Sequence, residues 1–272
     1  MTITLIIGPT AIGKSDYALS LAKSQDAEII SADAFQIYQK MDIGTGKLLI
    51  DQQRGVPHHL IDICDPQENF SVARFIDATS TIIQQLTSKN KAIIICGGTG
   101  LYLRAFLYQY TFSQEDSTQP MNFESFDNQT LWKKLEAIDP LYAKKIHPNN
   151  RRRIERCLTI FHTQGQRPSD IQAQNRVQRQ DVHLIGLTAP RNEIYDRINR
   201  RVDLMIDQGF IDEVYQLLES GYDINSPGFQ ALGYQEVAAY IQGSLERTAM
   251  IDLIKLKTRR FAKRQLTWFR PF

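Results

Sequence analysis

The sequence has no hydrophobic run that is long enough to cross a membrane. A transmembrane helix needs roughly 20 predominantly apolar residues, and no stretch of the 272 residues approaches that length. The first ten residues, MTITLIIGPT, carry no basic cluster and only a short apolar run, unlike a secretory signal peptide. We therefore predict a cytoplasmic protein with no membrane partner.

Cysteine is also scarce. Cys64, Cys96 and Cys157 are widely spaced and form no CxxC pair, which argues against both a disulfide framework and a zinc site. We expect three buried free thiols. Internal repeats and low-complexity segments are missing as well, and a hydrophobic content of 42% with 23% charged residues is typical of a folded globular protein.

Acidic residues are nearly absent from two segments, although the net charge of the chain is only +2. Between Lys144 and Arg167 seven basic residues face one acid, Glu155, and after Asp252 no acid occurs. The latter segment contains Lys255, Lys257, Arg259, Arg260, Lys263, Arg264 and Arg270. A basic run can be a solvated helix face, but two such runs with interleaved aromatic residues favour a polyanionic partner.

The N-terminal segment contains a phosphate-binding motif. Residues Gly8, Pro9, Thr10, Ala11, Ile12, Gly13, Lys14 and Ser15 match GxxxxGK[ST], between a predicted strand (Thr2–Ile7) and a predicted helix (Lys14–Lys23). In such a P-loop the backbone N–H groups and the helix N-terminus surround phosphate oxygens. We expect Lys14 to pair with the terminal phosphates and Ser15 to ligate Mg²⁺, the predicted cofactor.

Strands followed by glycine turns and helices recur along the chain. Ala27–Ser31, Lys91–Cys96 and Asp181–Leu187 read as further strands, and the second of them ends at a Gly-Gly-Thr-Gly turn. This alternation predicts an α/β fold: a P-loop NTPase-like parallel sheet flanked by helices, with a small helical insertion domain. We place the core at 1–111 and 181–272 and the insertion at 112–180. In open parallel sheets the ligand lies beyond the carboxyl ends of the strands, where Gly8, Asp33 and Thr99 should meet.

Within the insertion the periodicity predicts helices over Trp132–Ala143 and Arg151–Gln164, the second of them capped by Asn150. The segment after residue 181 is predicted to be mostly helical. Its expected helices are Arg191–Gln208, Ile211–Ser220 and Gly233–Gln242.

Several further motifs occur in a fixed order. They are ISADAFQIY (30–38), MDIGTGK (41–47), PHHLID (57–62), GGTGLY (97–102) and KRQLTWFR (263–270). Together with the P-loop they closely resemble the tRNA dimethylallyltransferase family over nearly the whole chain. The resemblance implies that this enzyme transfers a dimethylallyl group from dimethylallyl diphosphate to the exocyclic amine of the adenosine immediately 3′ of the anticodon in tRNA.

The resemblance also implies roles for single residues. Asp33 matches the catalytic aspartate, which would accept the proton of the adenine amine as general base. Thr99 matches a threonine near adenosine and diphosphate, although it could be only a turn hydroxyl that caps a helix. Arg201 matches an arginine that contacts the diphosphate; Arg197, one turn earlier, could share that role or pair with a carboxylate.

The tRNA anticodon stem-loop is the implied macromolecular partner, and the enzyme is expected to be a monomer. The reactive base must leave its stack to reach Asp33. The implied tRNA contacts are Asp33, Ala34, Phe35, Gln36, Thr99, Arg152, Arg153, Arg156, Gln230, Gly233 and Tyr234.

The sequence departs from the family pattern in two places. It stops at Phe272, directly after the Trp268 motif, where many relatives continue with a further helix, and its insertion is short. In addition, no arginine occurs between Arg104 and Arg151, where relatives carry a diphosphate-binding arginine. Either Lys133 or Lys134 replaces it, or Arg201 and Lys14 suffice. Two other enzymatic functions fit part of the sequence: prenylation of free adenylates, and a P-loop small-molecule kinase. A pure RNA-binding module would need neither Lys14 nor Asp33.

Overall fold

The computed structural model describes residues 3–110, 121–174 and 178–270. The chain forms two compact units, one of Met1–Leu107 with Gln180–Phe272 and the other of Tyr108–Arg179. The boundary that we predicted between residues 111 and 112 lies outside the described residues, and the division near residue 180 falls one residue before the predicted one.

The first unit contains a parallel sheet of five strands. The strands are β1 (Ile3–Ile7), β2 (Ala27–Ser31), β3 (His58–His59), β4 (Ala92–Cys96) and β5 (Val182–Gly186). Their spatial order is β3-β2-β4-β1-β5, and every neighbouring pair is parallel. All five residues of β1 are buried, as expected for an apolar strand inside a helix-covered parallel sheet. The predicted α/β fold is confirmed.

Helices make up most of the remaining described chain. They are α1 (Lys14–Gln25), α2 (Val72–Ser88), α3 (Gly100–Leu107), α4 (Asn128–Ile138), α5 (Pro140–Ala143), α6 (Arg151–Gln164), α7 (Pro168–Gln174), α8 (Arg191–Asp207), α9 (Phe210–Glu219), α10 (Tyr234–Ile241) and α11 (Arg247–Phe269). Sequence analysis did not predict β3, α2 or α11. Its other elements in the first unit are reproduced within about two residues at each end, the usual uncertainty of helix and strand boundaries.

Two of the apolar clusters in the described part of the first unit are large. One lies beneath the sheet, where Ala18, Leu19 and Ala22 of α1 pack with residues of β1, β2 and β4. The other joins α8, α9, α10 and α11 to the segment after β2, and Phe210 and Tyr234 meet in it edge to face with ring centroids 5.0 Å apart. The second cluster therefore fixes the helices that face the carboxyl ends of the strands.

The second unit consists of α4, α5, α6 and α7. The single helix predicted over Trp132–Ala143 is wrong: it is interrupted at Asp139, whose carboxylate accepts hydrogen bonds from the N–H groups of Tyr142 (3.0 Å) and Ser169 (2.7 Å). Asn150 occupies the N-cap position of α6 as predicted, but its side chain makes no capping hydrogen bond.

Two predicted absences can be compared with the described residues. Within them, no helix combines the length and the apolar character that a membrane span requires. All three cysteines are free and buried, as predicted.

Candidate active site

Three loops meet at the carboxyl edge of the sheet: the P-loop after β1, residues 33–36 after β2, and the Gly97–Gly100 turn after β4. The Thr99 N–H donates to the Ala32 carbonyl at 3.2 Å. In return the Ala34 N–H donates to Thr99 Oγ1 at 2.9 Å. The Thr99 hydroxyl therefore ties the Asp33 segment to the turn rather than capping α3.

Lys14 lies at the centre of the P-loop. Its Nζ donates hydrogen bonds to the carbonyls of Gly8 and Pro9, both at 2.9 Å. Burial lowers the pKa of Lys14 to about 8, while the nearby Asp33 carboxylate opposes that shift. Lys14 is therefore a poorly solvated cation. A phosphate anion bound beside it would raise its pKa back toward the ordinary value.

Two cavities open beside these loops. A polar cavity of about 400 Å³ is lined by the P-loop, including Lys14 and Ser15. An adjoining cavity of about 330 Å³ has a largely apolar wall, formed by Ile198, Val202, Met205, Phe210, Ile254 and Trp268. Seven residues line both cavities: Thr10, Asp33, Thr45, Gly98, Arg201, Phe261 and Gln265. The two spaces therefore share a wall that carries one carboxylate and one guanidinium.

Asp33 and Arg201 are that charged pair. Asp33 Oδ1 accepts the N–H of Phe35 at 3.0 Å, which orients the carboxylate at the end of β2. Arg201 extends from α8, and burial lowers its pKa while the charge of Asp33 raises it. Arg197 also lines the polar cavity, but it lies 3.6 Å from the Glu193 carboxylate and donates to the Ile12 carbonyl at 3.5 Å. Arg201 is therefore the arginine shared by the two cavities.

Gln265 is a site residue to which sequence analysis assigned no role. Its side chain is only 4% exposed, although it extends from the C-terminal helix α11. Its Oε1 accepts the N–H of Thr10 in the P-loop at 2.8 Å, and its Nε2 donates to the Gly98 carbonyl at 2.9 Å. The C-terminal motif thus joins two of the three loops.

Residues 34–36 lie on different sides of the site. Ala34 and Phe35 line the apolar cavity. Gln36 lines only the polar one, where it accepts from Ser31 Oγ (3.0 Å) and donates to the Gly46 carbonyl (3.3 Å). Gln36 therefore lies on the P-loop side of the shared wall, and its predicted contact with tRNA stays a prediction.

Three other predicted tRNA contacts, Gln230, Gly233 and Tyr234, line neither cavity. Gln230 is exposed, whereas Gly233 is buried at the start of α10. Tyr234 is fully buried, and its hydroxyl donates to Glu213 Oε1 at 2.6 Å. The predicted contact between the Tyr234 side chain and tRNA is therefore wrong, because this side chain has no exposed surface.

The predicted arginine cluster lies on α6 in the second unit. Arg152, Arg153 and Arg156 are all exposed. The Arg153 guanidinium lies over the Tyr142 ring at 5.5 Å and donates to its hydroxyl at 3.1 Å. Lys134, one of the two candidates to replace the missing arginine, lies with Nζ 4.5 Å from the centre of the Phe126 ring.

The donor set around the P-loop fits a Mg²⁺ ion that is held mainly by its ligand. The described residues contain no group of three or more His, Cys, Asp or Glu side chains that could hold a metal. Ser15 is exposed and lines the polar cavity, so its hydroxyl can contribute one oxygen. Mg²⁺ commonly retains several waters and binds through phosphate oxygens with few protein ligands, which this sparse set allows.

Comparison with known proteins identifies the family. A family profile described as IPP transferase matches residues 36–271. The chain belongs to the IPP transferase family. Its curated relatives include the tRNA dimethylallyltransferase of Alkaliphilus oremlandii, which is 43% identical, with 99% of this chain and 88% of the relative aligned. The enzyme of the same name from Anoxybacillus flavithermus is 44% identical over 98% of this chain and 87% of its own length.

Solved structures of IPP transferases share the fold. The tRNA isopentenylpyrophosphate transferase of Bacillus halodurans is 40% identical with a TM-score of 0.74, and the alignment covers all of this chain and 87% of that one. A eukaryotic dimethylallyltransferase described as acting on tRNA is 28% identical with a TM-score of 0.87, covering 98% of this chain and 69% of its own.

Proposed function

We propose that this IPP transferase family member transfers a dimethylallyl group from dimethylallyl diphosphate to the exocyclic amine of the adenosine 3′-adjacent to the anticodon in tRNA, releasing diphosphate. The observation that carries the proposal is the position of Asp33, on the wall shared by a phosphate-type cavity and an apolar one. Both relatives and structural neighbours of this chain are enzymes named for this transfer.

The two cavities match the two halves of the donor. The P-loop cavity offers backbone N–H groups, Lys14 and Arg201 to a diphosphate. The apolar wall of the second cavity suits the prenyl carbons, which gain by leaving water. This wall also keeps water away from the carbocation-like centre that develops as the allylic bond breaks.

Asp33 would serve as the general base. The adenine amine is a weak nucleophile because its lone pair is delocalised into the ring, so its proton must be accepted as the C–N bond forms. A positioned carboxylate contributes typically about 10²- to 10⁴-fold to such a step. The Phe35 N–H that Asp33 Oδ1 accepts fixes the carboxylate, which leaves its second oxygen for the amine.

Charge stabilisation at the leaving group falls to Lys14, Arg201 and the amides of the P-loop. Negative charge accumulates on the departing diphosphate, and fixed cations in a partly desolvated cavity stabilise it without reorganising. Mg²⁺ bound through Ser15 and the diphosphate oxygens would supply further Lewis-acid stabilisation of the leaving group.

The acceptor would enter as a flipped base. Unstacking it costs a few kcal/mol, which backbone contacts elsewhere must offset. The exposed arginines of α6 are suited to such phosphate contacts. A cytoplasmic location and a monomeric state complete the proposal.

The decisive variant is Asp33→Asn, which keeps the oxygen that accepts the Phe35 N–H and removes the base. We expect it to bind tRNA with unchanged affinity and to incorporate labelled dimethylallyl groups at a rate about 10²- to 10⁴-fold lower. Asp77→Asn, the same change on the exposed face of α2, is the control that should leave transfer unchanged.

The wild-type protein should label tRNA from its own organism when Mg²⁺ is present. Absence of that label would overturn the proposed function, and normal turnover by Asp33→Asn would overturn the assignment of the base. Two further assays, one with another acceptor and one with another donor, distinguish the alternative functions. Labelling of AMP in preference to tRNA would indicate an adenylate prenyltransferase, and phosphoryl transfer from ATP to a metabolite would indicate a kinase.

A further inference from the structure

Glu213 lines neither cavity, yet its carboxylate holds the loop of residues 42–47 that borders both. From α9, its Oε2 accepts the backbone N–H groups of residues 42 and 43, each at 2.7 Å. Its Oε1 accepts the N–H of residue 44 at 3.1 Å. One carboxylate therefore satisfies three successive amides, and hydrogen bonds to an ionised acceptor are about twice as strong as neutral ones.

The same carboxylate has a fourth donor. The Tyr234 hydroxyl binds Glu213 Oε1 at 2.6 Å, and the tyrosine ring is fully buried against Phe210. Burial and the negative charge of Glu213 raise the pKa of Tyr234 well above its ordinary value, so the hydroxyl stays protonated and donates. Tyr234 thus supports Glu213 from the core side.

The far end of the 42–47 loop lies against the Arg201 guanidinium. A Cβ atom added to Gly46 would lie 1.8 Å from Arg201 Nη2, so a side chain at this position would displace the guanidinium. The backbone of Gly46 also has φ +62°, a conformation that glycine adopts without strain. The Gly46 carbonyl accepts Gln36 Nε2 at 3.3 Å, and Thr45 beside it lines both cavities.

We propose that Glu213 is a positioning residue for the transfer reaction: by fixing the 42–47 loop it holds Arg201 in place at the wall between the two cavities. This inference rests on the proposed function, since it assumes that Arg201 meets the diphosphate. Glu213 itself touches neither substrate in this arrangement.

Glu213→Gln tests the inference because glutamine has the same shape but only one acceptor oxygen. Its NH₂ group would face either the pair of amides at 42 and 43 or the amide at 44, and the loop would shift. We expect the KM for dimethylallyl diphosphate to rise and kcat/KM for that donor to fall by about 10- to 100-fold, the cost of a displacement near 1 Å. The tRNA dissociation constant should not change.

The donor KM separates positioning from a merely structural effect. A variant that simply leaves fewer folded molecules has a lower apparent kcat with unchanged KM values for both substrates. Glu219→Gln, the same change at an exposed position of the same helix, is the matched control and should behave as wild type.

A double-mutant cycle adds a second readout. Since Glu213 acts through Arg201, the variant carrying both Glu213→Gln and Arg201→Ala should lose little more donor kcat/KM than Arg201→Ala alone. Full additivity, or a donor KM equal to wild type in Glu213→Gln, would overturn the inference. If Glu213→Gln does not fold, Tyr234→Phe decides instead: it removes the hydroxyl that donates to Glu213 Oε1 and should raise the donor KM, and an unchanged donor KM would overturn the inference.

Failure of this inference is distinguishable from failure of the proposed function. If the wild-type protein does not prenylate tRNA, the proposed function itself is overturned. If the wild-type enzyme prenylates tRNA and Glu213→Gln has an unchanged donor KM, only the role of Glu213 is overturned.

Discussion

Replacing Gln265 by glutamate tests how the C-terminal helix completes the site. Glutamate has the same shape and keeps the oxygen that accepts the Thr10 N–H at 2.8 Å. As a carboxylate it cannot donate to the Gly98 carbonyl, which now receives a hydrogen bond of 2.9 Å from Nε2. The side chain is 4% exposed, so little water reaches the carbonyl that loses its donor.

The structure sets the size of two effects of Gln265→Glu. A buried polar group without its partner costs about 1–3 kcal/mol, which lowers the melting temperature of a domain of this size by about 2–12 °C. The new charge also faces the polar cavity that we propose binds the diphosphate. At a separation of about 4–8 Å and an effective dielectric constant near 20, repulsion of about 2–4 kcal/mol weakens donor binding by about 30- to 1000-fold.

The assay is the donor KM and the melting temperature of Gln265→Glu between about pH 6 and pH 8. A protonated glutamic acid accepts and donates as glutamine does, so both defects should shrink as the pH falls. Burial raises the folded-state pKa of this carboxyl above its unfolded value, and the stabilising contribution is therefore lost as the pH rises through the folded-state pKa.

Two companion variants sharpen the result. Gln265→Leu leaves both Thr10 and Gly98 without a partner, and should melt lower than Gln265→Glu at low pH while raising the donor KM less at pH 8. Gln84→Glu adds the same charge on the exposed surface of α2 and should behave as wild type. A defect of Gln265→Glu that does not change with pH would refute the role assigned to the two hydrogen bonds.

Two further predictions concern cations. Because burial lowers the pKa of Lys14 to about 8 and the protonated form binds diphosphate, kcat/KM for the donor should fall as the pH rises above about 8. This decrease at high pH should be missing from the pH profile of the weakly active Lys14→Gln variant. If the decrease persists there, Lys14 is not the group that causes it. Arg152→Ala should reduce the slope of log tRNA affinity against log salt by about 1, as expected for one lost phosphate contact. An unchanged slope, measured by filter binding, would show that Arg152 touches no phosphate.

The sequence predicted the elements around the P-loop well, because a short apolar strand, a glycine turn and an amphipathic helix are each encoded locally. It failed where the local signal was weak or contradictory. Helix α2 contains several β-branched residues, which lower helix propensity. Its real start signal was Ser71, which accepts the N–H of Arg74 at 3.2 Å. Strand β3 spans two residues and exists only through pairing with β2.

The same contrast holds within the site. Thr99 and Asp33 follow two strands of one sheet, so their meeting could be expected from topology alone. Gln265 and Glu213 reach the site from helices that lie 255 and about 170 positions away from the backbone groups they bind, and no local pattern states which amides a distant side chain will meet. Tyr234 was misassigned for the same reason, since its motif does not reveal that the ring faces the core.

The P-loop alone suggests a nucleotide ligand. The residues around it indicate which phosphate-containing ligand it binds. In a phosphoryl transfer enzyme the space beyond the terminal phosphate must hold a polar acceptor, and the bond that breaks is at phosphorus. Here that space continues past Asp33 and Arg201 into a cavity walled by Ile198, Val202 and other apolar side chains. A carbon-centred electrophile with a prenyl chain fits such a wall, and a metabolite hydroxyl does not. In the proposed reaction the P-loop therefore stabilises a departing diphosphate, while the reacting carbon would lie on the other side of the carboxylate.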